Sequence, residues 1–216
     1  GEVAVWDTAG HEIPVAMTLV AHKDEAGHTL RFSTNIRDLS RIKEAEQFTH
    51  LLLESLGEGV FGIDLEGRFT FLNPEAVRLF GFASEATVHG KDAHDLTHHT
   101  DSAGHPLPAS ACPIYAVLES GEPLQAWEDR FWRADATAFP VEVYAAPLRD
   151  TGGRLQGVVV SFEDITHRKQ AEQARNQLIQ ILEATPDLVS MGDLDGYPTY
   201  YNRAGLGLVG EESLEA

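Results

Sequence analysis

The chain has 216 residues, 43% of them apolar, enough for one large core or two smaller ones. Its 34 acidic and 16 basic residues give a formal charge of −18, a field that repels nucleic-acid phosphates and anionic lipid surfaces, so neither is an expected partner. No apolar run approaches the roughly 18 residues of a membrane span, no basic-then-apolar leader opens the sequence, and one cysteine cannot form an internal disulfide, which makes the cytoplasm the expected compartment.

Residues 1–47 make sense only beside a later stretch. Trp6, Ile13, Pro14 and Val15 recur as Trp132, Phe139, Pro140 and Val141, and Arg37 to Ser40 recur as Glu163 to Thr166, every pair 126 positions apart. The match ends with Lys43 to Gln47 against Lys169 to Gln173. A second gapless match has an offset of 129, from Val60 to Asn73 against Val189 to Asn202. The two matches cover different parts of one repeating unit. The chain therefore divides into the back half of a first unit with a linker helix (1–47), a complete unit (48–166), a second linker helix (167–184) and the front of a third unit (185–216).

The complete unit carries its own local signals. Phe61 and Ile63 alternate ahead of the turn from Asp64 to Gly67, and Phe69 and Phe71 follow it, the pattern of a strand, a turn and a strand. Asn73 and Pro74 supply a capping oxygen and a proline at the first helical position, and Gly81 stops the helix. Residues 84–108 predict short helices and loop, and Ile114, Val117 and Leu118 one more helix ending at Gly121. Three strand patterns close the unit, around Trp127 to Trp132, Phe139 to Val143 and Val158 to Phe162. Short turns between them imply antiparallel pairing, so the fold class is α+β: a five-stranded antiparallel sheet with helices on one face, flanked by linker helices and partial units.

These residues resemble the PAS domain, the sensory module of bacterial signalling proteins. The resemblance rests on Gly59 to Gly67, Phe71 to Ala76, Trp132 to Glu142, Pro147 to Asp150, and Phe162 to Thr166 leading into Arg168 and Lys169. The last segment is similar to the family's Asp-Ile-Thr exit motif, which implies signal relay by Asp164, Ile165 and Thr166; separately, the Thr166 hydroxyl can accept a free backbone N–H, which makes Thr166 the expected cap of the linker helix. Two turns depart from the family pattern: Asp135-Ala136 stands where Asp-Gly is usual, and Asp101-Ser102-Ala103 lacks the expected glycine.

Half of the ten histidines lie between His89 and His105, with the lone Cys112 close behind. His94 and His98 have the spacing of neighbours on a helix, and a metal set of His94, His98, His99 and Cys112 is the alternative to a plain structural loop. Pro106 and Pro108 intervene before Cys112, so the expectation is a structural loop with no metal, and no cofactor is expected. Haem on one of His89, His94, His98 or His99, and a non-covalent flavin, remain lesser alternatives. The resemblance argues against a light-sensing flavin adduct, because the matching helix has no cysteine, and against an iron–sulfur cluster, which needs several. A small-molecule pocket, if present, is expected among Phe61, Phe71, Phe80, Ile114, Val141, Val143, Val158 and Val160.

No phosphate loop, nucleophile elbow or His-Glu-x-x-His motif occurs, so no catalysis is expected from this stretch. The expected function is a sensory and relay module that passes a conformational signal through its C-terminal linker helix to an effector such as a histidine kinase or diguanylate cyclase. A structural spacer without ligand is the rival. Apolar steps at Ala171, Ala174, Leu178 and Ile181, repeated at Ala45, Phe48, Leu52 and Ser55, lead to the expectation of a homodimer through linker helices or partial units.

Overall fold

The computed structural model describes residues 1–101 and 104–210. The turn residues Ser102 and Ala103 lie outside the described residues.

Three strands open the chain: β1 (Glu2–Trp6), β2 (Glu12–Lys23) and β3 (Thr29–Asp38), paired antiparallel in that order and followed by helix α1 (Ser40–Ser55). The central unit then runs β4 (Gly59–Ile63), β5 (Phe69–Leu72), α2 (Pro74–Phe80), α3 (Ala93–Thr97), α4 (Pro113–Ser120), β6 (Leu124–Trp132), β7 (Ala138–Arg149) and β8 (Leu155–Asp164). Helix α5 (Thr166–Ala184), the hairpin β9 (Ser190–Gly192) and β10 (Pro198–Tyr201), and α6 (Arg203–Val209) complete the described chain.

The central strands form one antiparallel sheet in the order β5-β4-β8-β7-β6. Alternation along β7 and β8 sends Phe139, Val141, Val143, Val158, Val160 and Phe162 into the core. Helices α2 and α4 cover that face with Leu79, Phe80, Ile114 and Val117. Between them the rings of Phe61, Phe80, Phe131 and Phe162 interlock, with Phe80 and Phe162 centroids 4.8 Å apart and Phe131 and Phe162 5.2 Å apart. Each such ring contributes about 2–3 kcal/mol through burial, so the centre of the concave face is held by packing.

Both repeat offsets map element onto element. At 126 positions β2 becomes β7, β3 becomes β8, and the start of α1 becomes the start of α5; at 129, β10 and α6 follow β5 and α2. The same chemistry recurs with them. Asn73 caps α2 by accepting from the Ala76 N–H at 2.8 Å, accepts from the Val60 N–H, and donates through Nδ2 to the carbonyls of Leu53 and Glu58. Asn202 repeats this with Gly205, Val189, Leu182 and Asp187. Each amide thus fastens the end of a linker helix to the first strand and first helix of the unit it enters.

Candidate functional site

Helix α3 is one and a half turns long and is capped by Asp92, whose carboxylate accepts from the Asp95 N–H. Its pitch puts His94 and His98 on one face, both buried. Beyond it the chain folds back: Thr100 pairs with Pro106, and the Leu107 N–H donates to the His99 carbonyl. The two prolines expected to keep Cys112 away therefore lie in a return segment that delivers it. Cys112 occupies the N-cap of α4, just before Pro113, and is buried.

His98 Nδ1 lies 3.2 Å from Cys112 Sγ, and His98 Nε2 lies 3.1 Å from the Asp129 carboxylate on β6. His94 Nε2 lies 2.7 Å from the Leu107 carbonyl. Burial alone would push the His98 imidazolium down, but its bonds to Asp129 and Cys112 outweigh that and hold it at about 9. Burial would likewise push the Cys112 thiol up, yet the two imidazoles bring it down to about 6, a direction that its place at a helix N-terminus reinforces. The cluster thus favours a thiolate beside an imidazolium, with Asp129 as counter-charge.

Of the four residues weighed for a metal set, His94, His98 and Cys112 converge, whereas His99 stacks on Trp132 with centroids 5.0 Å apart and is exposed. His89 is also exposed. The expected pocket residues divide differently. Phe61, Phe80, Ile114, Val141, Val143, Val158 and Val160 are packed into the core, while Phe71 covers Gly62 on the opposite sheet face. A cavity of about 10 Å³ lies beside the histidine cluster, against the roughly 300–1,000 Å³ of sites for drug-sized ligands. Asp129, which spacing did not single out, joins the cluster from a strand 31 residues beyond His98.

The second feature is the exit from β8. Asp164 Oδ1 accepts from both the N–H and the hydroxyl of Thr166, at 2.9 and 2.5 Å, and Oδ2 meets Arg133 at 3.0 Å. Arg133 also donates to the Leu79 carbonyl and lies 3.8 Å over the Phe139 ring. The cap is thus a correction to the sequence expectation: Thr166 is the first residue of α5, and Asp164 receives its free N–H. Ile165, buried, plugs the junction. One turn on, Arg168 pairs with Glu128 and Glu142 at 2.9 and 2.7 Å, and Lys169 with Glu128 at 2.5 Å. A groove of about 350 Å³ runs along this junction, lined by Asp129, Pro140 and Gln173 among others.

The PAS fold matches residues 47–165, more than half of the sequence. The chain belongs to the PAS family. It is 32% identical over 162 residues to the C4-dicarboxylate transport sensor protein DctS of Rhodobacter capsulatus, covering 71% of this chain and 23% of that protein. It is 26% identical over 152 residues to the signal transduction histidine-protein kinase AtoS of Escherichia coli strain K12, covering 70% and 23%. Among solved structures, an RNA-binding light-oxygen-voltage receptor shares the fold with a TM-score of 0.50 and 19% identity over 77% of this chain and 43% of that one. The chain thus spans about a quarter of the length of its curated PAS relatives. Among the described residues no helix is long and apolar enough to cross a membrane.

Proposed function

We propose that this PAS unit is a non-catalytic sensory and relay segment of a longer cytoplasmic signalling protein, passing a change in the histidine–cysteine cluster to α5 and on to an effector. The observation that carries the reading is the position of β6. Two consecutive residues on that strand serve both ends of the path: Asp129 accepts from buried His98, and Glu128 holds Arg168 and Lys169 on α5. A change of charge or ligation at the cluster displaces β6, and β6 holds the helix. Similarity to sensor and histidine-kinase proteins supports an effector of that class.

Helices α1 and α5 have no buried residues, and Phe48, Leu52, Leu178 and Ile181 are exposed on them. Self-association of these faces would let a shift in α5 change the register between two copies.

Amide hydrogen exchange tests the path. Asp129→Asn keeps the shape and removes the charge that His98 meets. With about 0.5–1 kcal/mol of local protection lost, exchange over residues 166–173 becomes roughly two- to fivefold faster, while the β9–β10 hairpin is unchanged. Exchange over 166–173 equal to that of the unaltered chain would leave a structural spacer as the better reading.

A further inference from the structure

We propose that His94, His98 and Cys112 form a binding site for a single thiophilic d¹⁰ metal ion, Zn²⁺ or Cu⁺. Their ligand-capable atoms all lie within 4.8 Å of one another, and all three residues are buried, at 4%, 1% and 2% exposure. Among the described residues no other group of histidine, cysteine and carboxylate side chains converges in this way.

The hydrogen bonds around the rings fix which nitrogens are free to ligate. His94 Nε2 faces a backbone carbonyl, which only accepts, so Nε2 carries a proton and, in the neutral ring that a metal binds, Nδ1 presents a lone pair. His98 Nε2 faces the Asp129 carboxylate, and its Nδ1 is turned to the sulfur. Metal-bound histidines are ordinarily held this way, by a carboxylate or carbonyl on the ring nitrogen remote from the metal. His94 Nδ1 is the decisive atom. It is buried and makes no hydrogen bond of ordinary geometry, although Cys112 Sγ lies within 4.8 Å, and a buried polar atom left this way costs roughly 1–3 kcal/mol. A metal would satisfy it, together with the sulfur and His98 Nδ1.

The cavity of about 10 Å³ against these residues is the size of one water or one small ion. Two imidazoles and a thiolate suit zinc, with water as a fourth ligand, or three-coordinate cuprous copper, and are poor ligands for Mg²⁺ or Ca²⁺. Binding displaces the proton shared by Cys112 Sγ and His98 Nδ1, so the buried charges stay compensated. The inference stands apart from the relay: metal binding without any change in α5 exchange would keep the site and remove the relay.

The test uses the purified chain, stripped with chelator and titrated separately with Zn²⁺ and with Cu⁺ under anaerobic competition. Co²⁺ serves as the optical probe for thiolate ligation. The expected result is one equivalent of Zn²⁺ or Cu⁺ per chain, with the two titrations deciding which. A near-ultraviolet thiolate-to-cobalt band should appear and be absent in Cys112→Ser. His94→Ala and Cys112→Ser should each weaken binding by at least about tenfold and Asp129→Asn by about tenfold, while His99→Ala binds as before. Far-ultraviolet circular dichroism identifies variants that fail to fold, and slower alkylation of Cys112 in the metal-loaded unaltered chain gives a readout without substitution. No stoichiometric binding of either ion by the folded chain, or binding undiminished in folded Cys112→Ser, would overturn the site and leave a thiol–imidazole hydrogen bond.

Discussion

Among the described residues, five turns share one construction. Asp7, Asp24, Asp64, Asp150 and Asp193 each accept two backbone N–H groups through one carboxylate oxygen, from the residues two and four positions on. The third position is a glycine with φ between 79° and 90°. Asp101 and Gly104 close the same way, with Gly104 at 88°, so the glycine expected one residue earlier is supplied there. The turn from Arg133 to Thr137 has the same backbone closure, but Ala136 sits at the glycine position with φ 63°. An alanine there carries the left-handed cost on an exposed turn that the Thr137 bonds to Asp135 close. Ala136→Gly should therefore raise stability by about 0.5–1 kcal/mol, read as a higher urea midpoint with unchanged slope. The turn from Asp64 to Gly67 was legible because its chemistry is local. The contact of His98 with Asp129 was not, because it depends on where β6 lies relative to α3, and no spacing along the chain encodes that.

Among the elements, α5 shows what a linker helix needs at its start. Its first free N–H is taken by Asp164, as that of α1 is taken by Asp38 at the matching position. Burial would raise the Asp164 carboxyl, but the Thr166 bonds and Arg133 more than offset it and hold it below the usual carboxylate range. A carboxylate lowered in the folded state stabilises fully above its unfolded value of about 4, and that contribution is lost as pH falls through the lower folded value. The stability gap between the unaltered chain and Asp164→Asn should thus be largest near neutral pH and shrink in acid below about 4, measured by urea unfolding across pH. A gap that grows on acidification would contradict the assignment. Alternation and capping residues placed every strand of the central sheet and both α2 and α4 from sequence. Helix α3 was harder to place, since five residues are too few for a 3.6-residue period to declare itself. The expected Thr166 cap failed for a related reason: a hydroxyl and a carboxylate two residues apart both suit an N-terminus, and only the direction of the chain leaving β8 decides between them.

Across the whole molecule, one design is used repeatedly: a sheet ends at an Asp, a helix begins, and an Asn of the next unit catches the end of that helix. Asp38, α1 and Asn73 form one such joint, and Asp164, α5 and Asn202 form the next. The two repeat offsets exposed this arrangement, 126 carrying Asp38 onto Asp164 and 129 carrying Asn73 onto Asn202, with the second joint three residues longer. The buried cluster lies in the helical middle of the central unit, on α3 and at the start of α4. The central claim is that this cluster and α5 are energetically linked through β6. A double-mutant cycle between His98→Ala and Arg168→Ala tests it most directly, with unfolding followed by the fluorescence of Trp127 and Trp132 on β6. The account predicts a coupling energy of about 0.5 kcal/mol or more between the two substitutions; additivity within about 0.3 kcal/mol would contradict it.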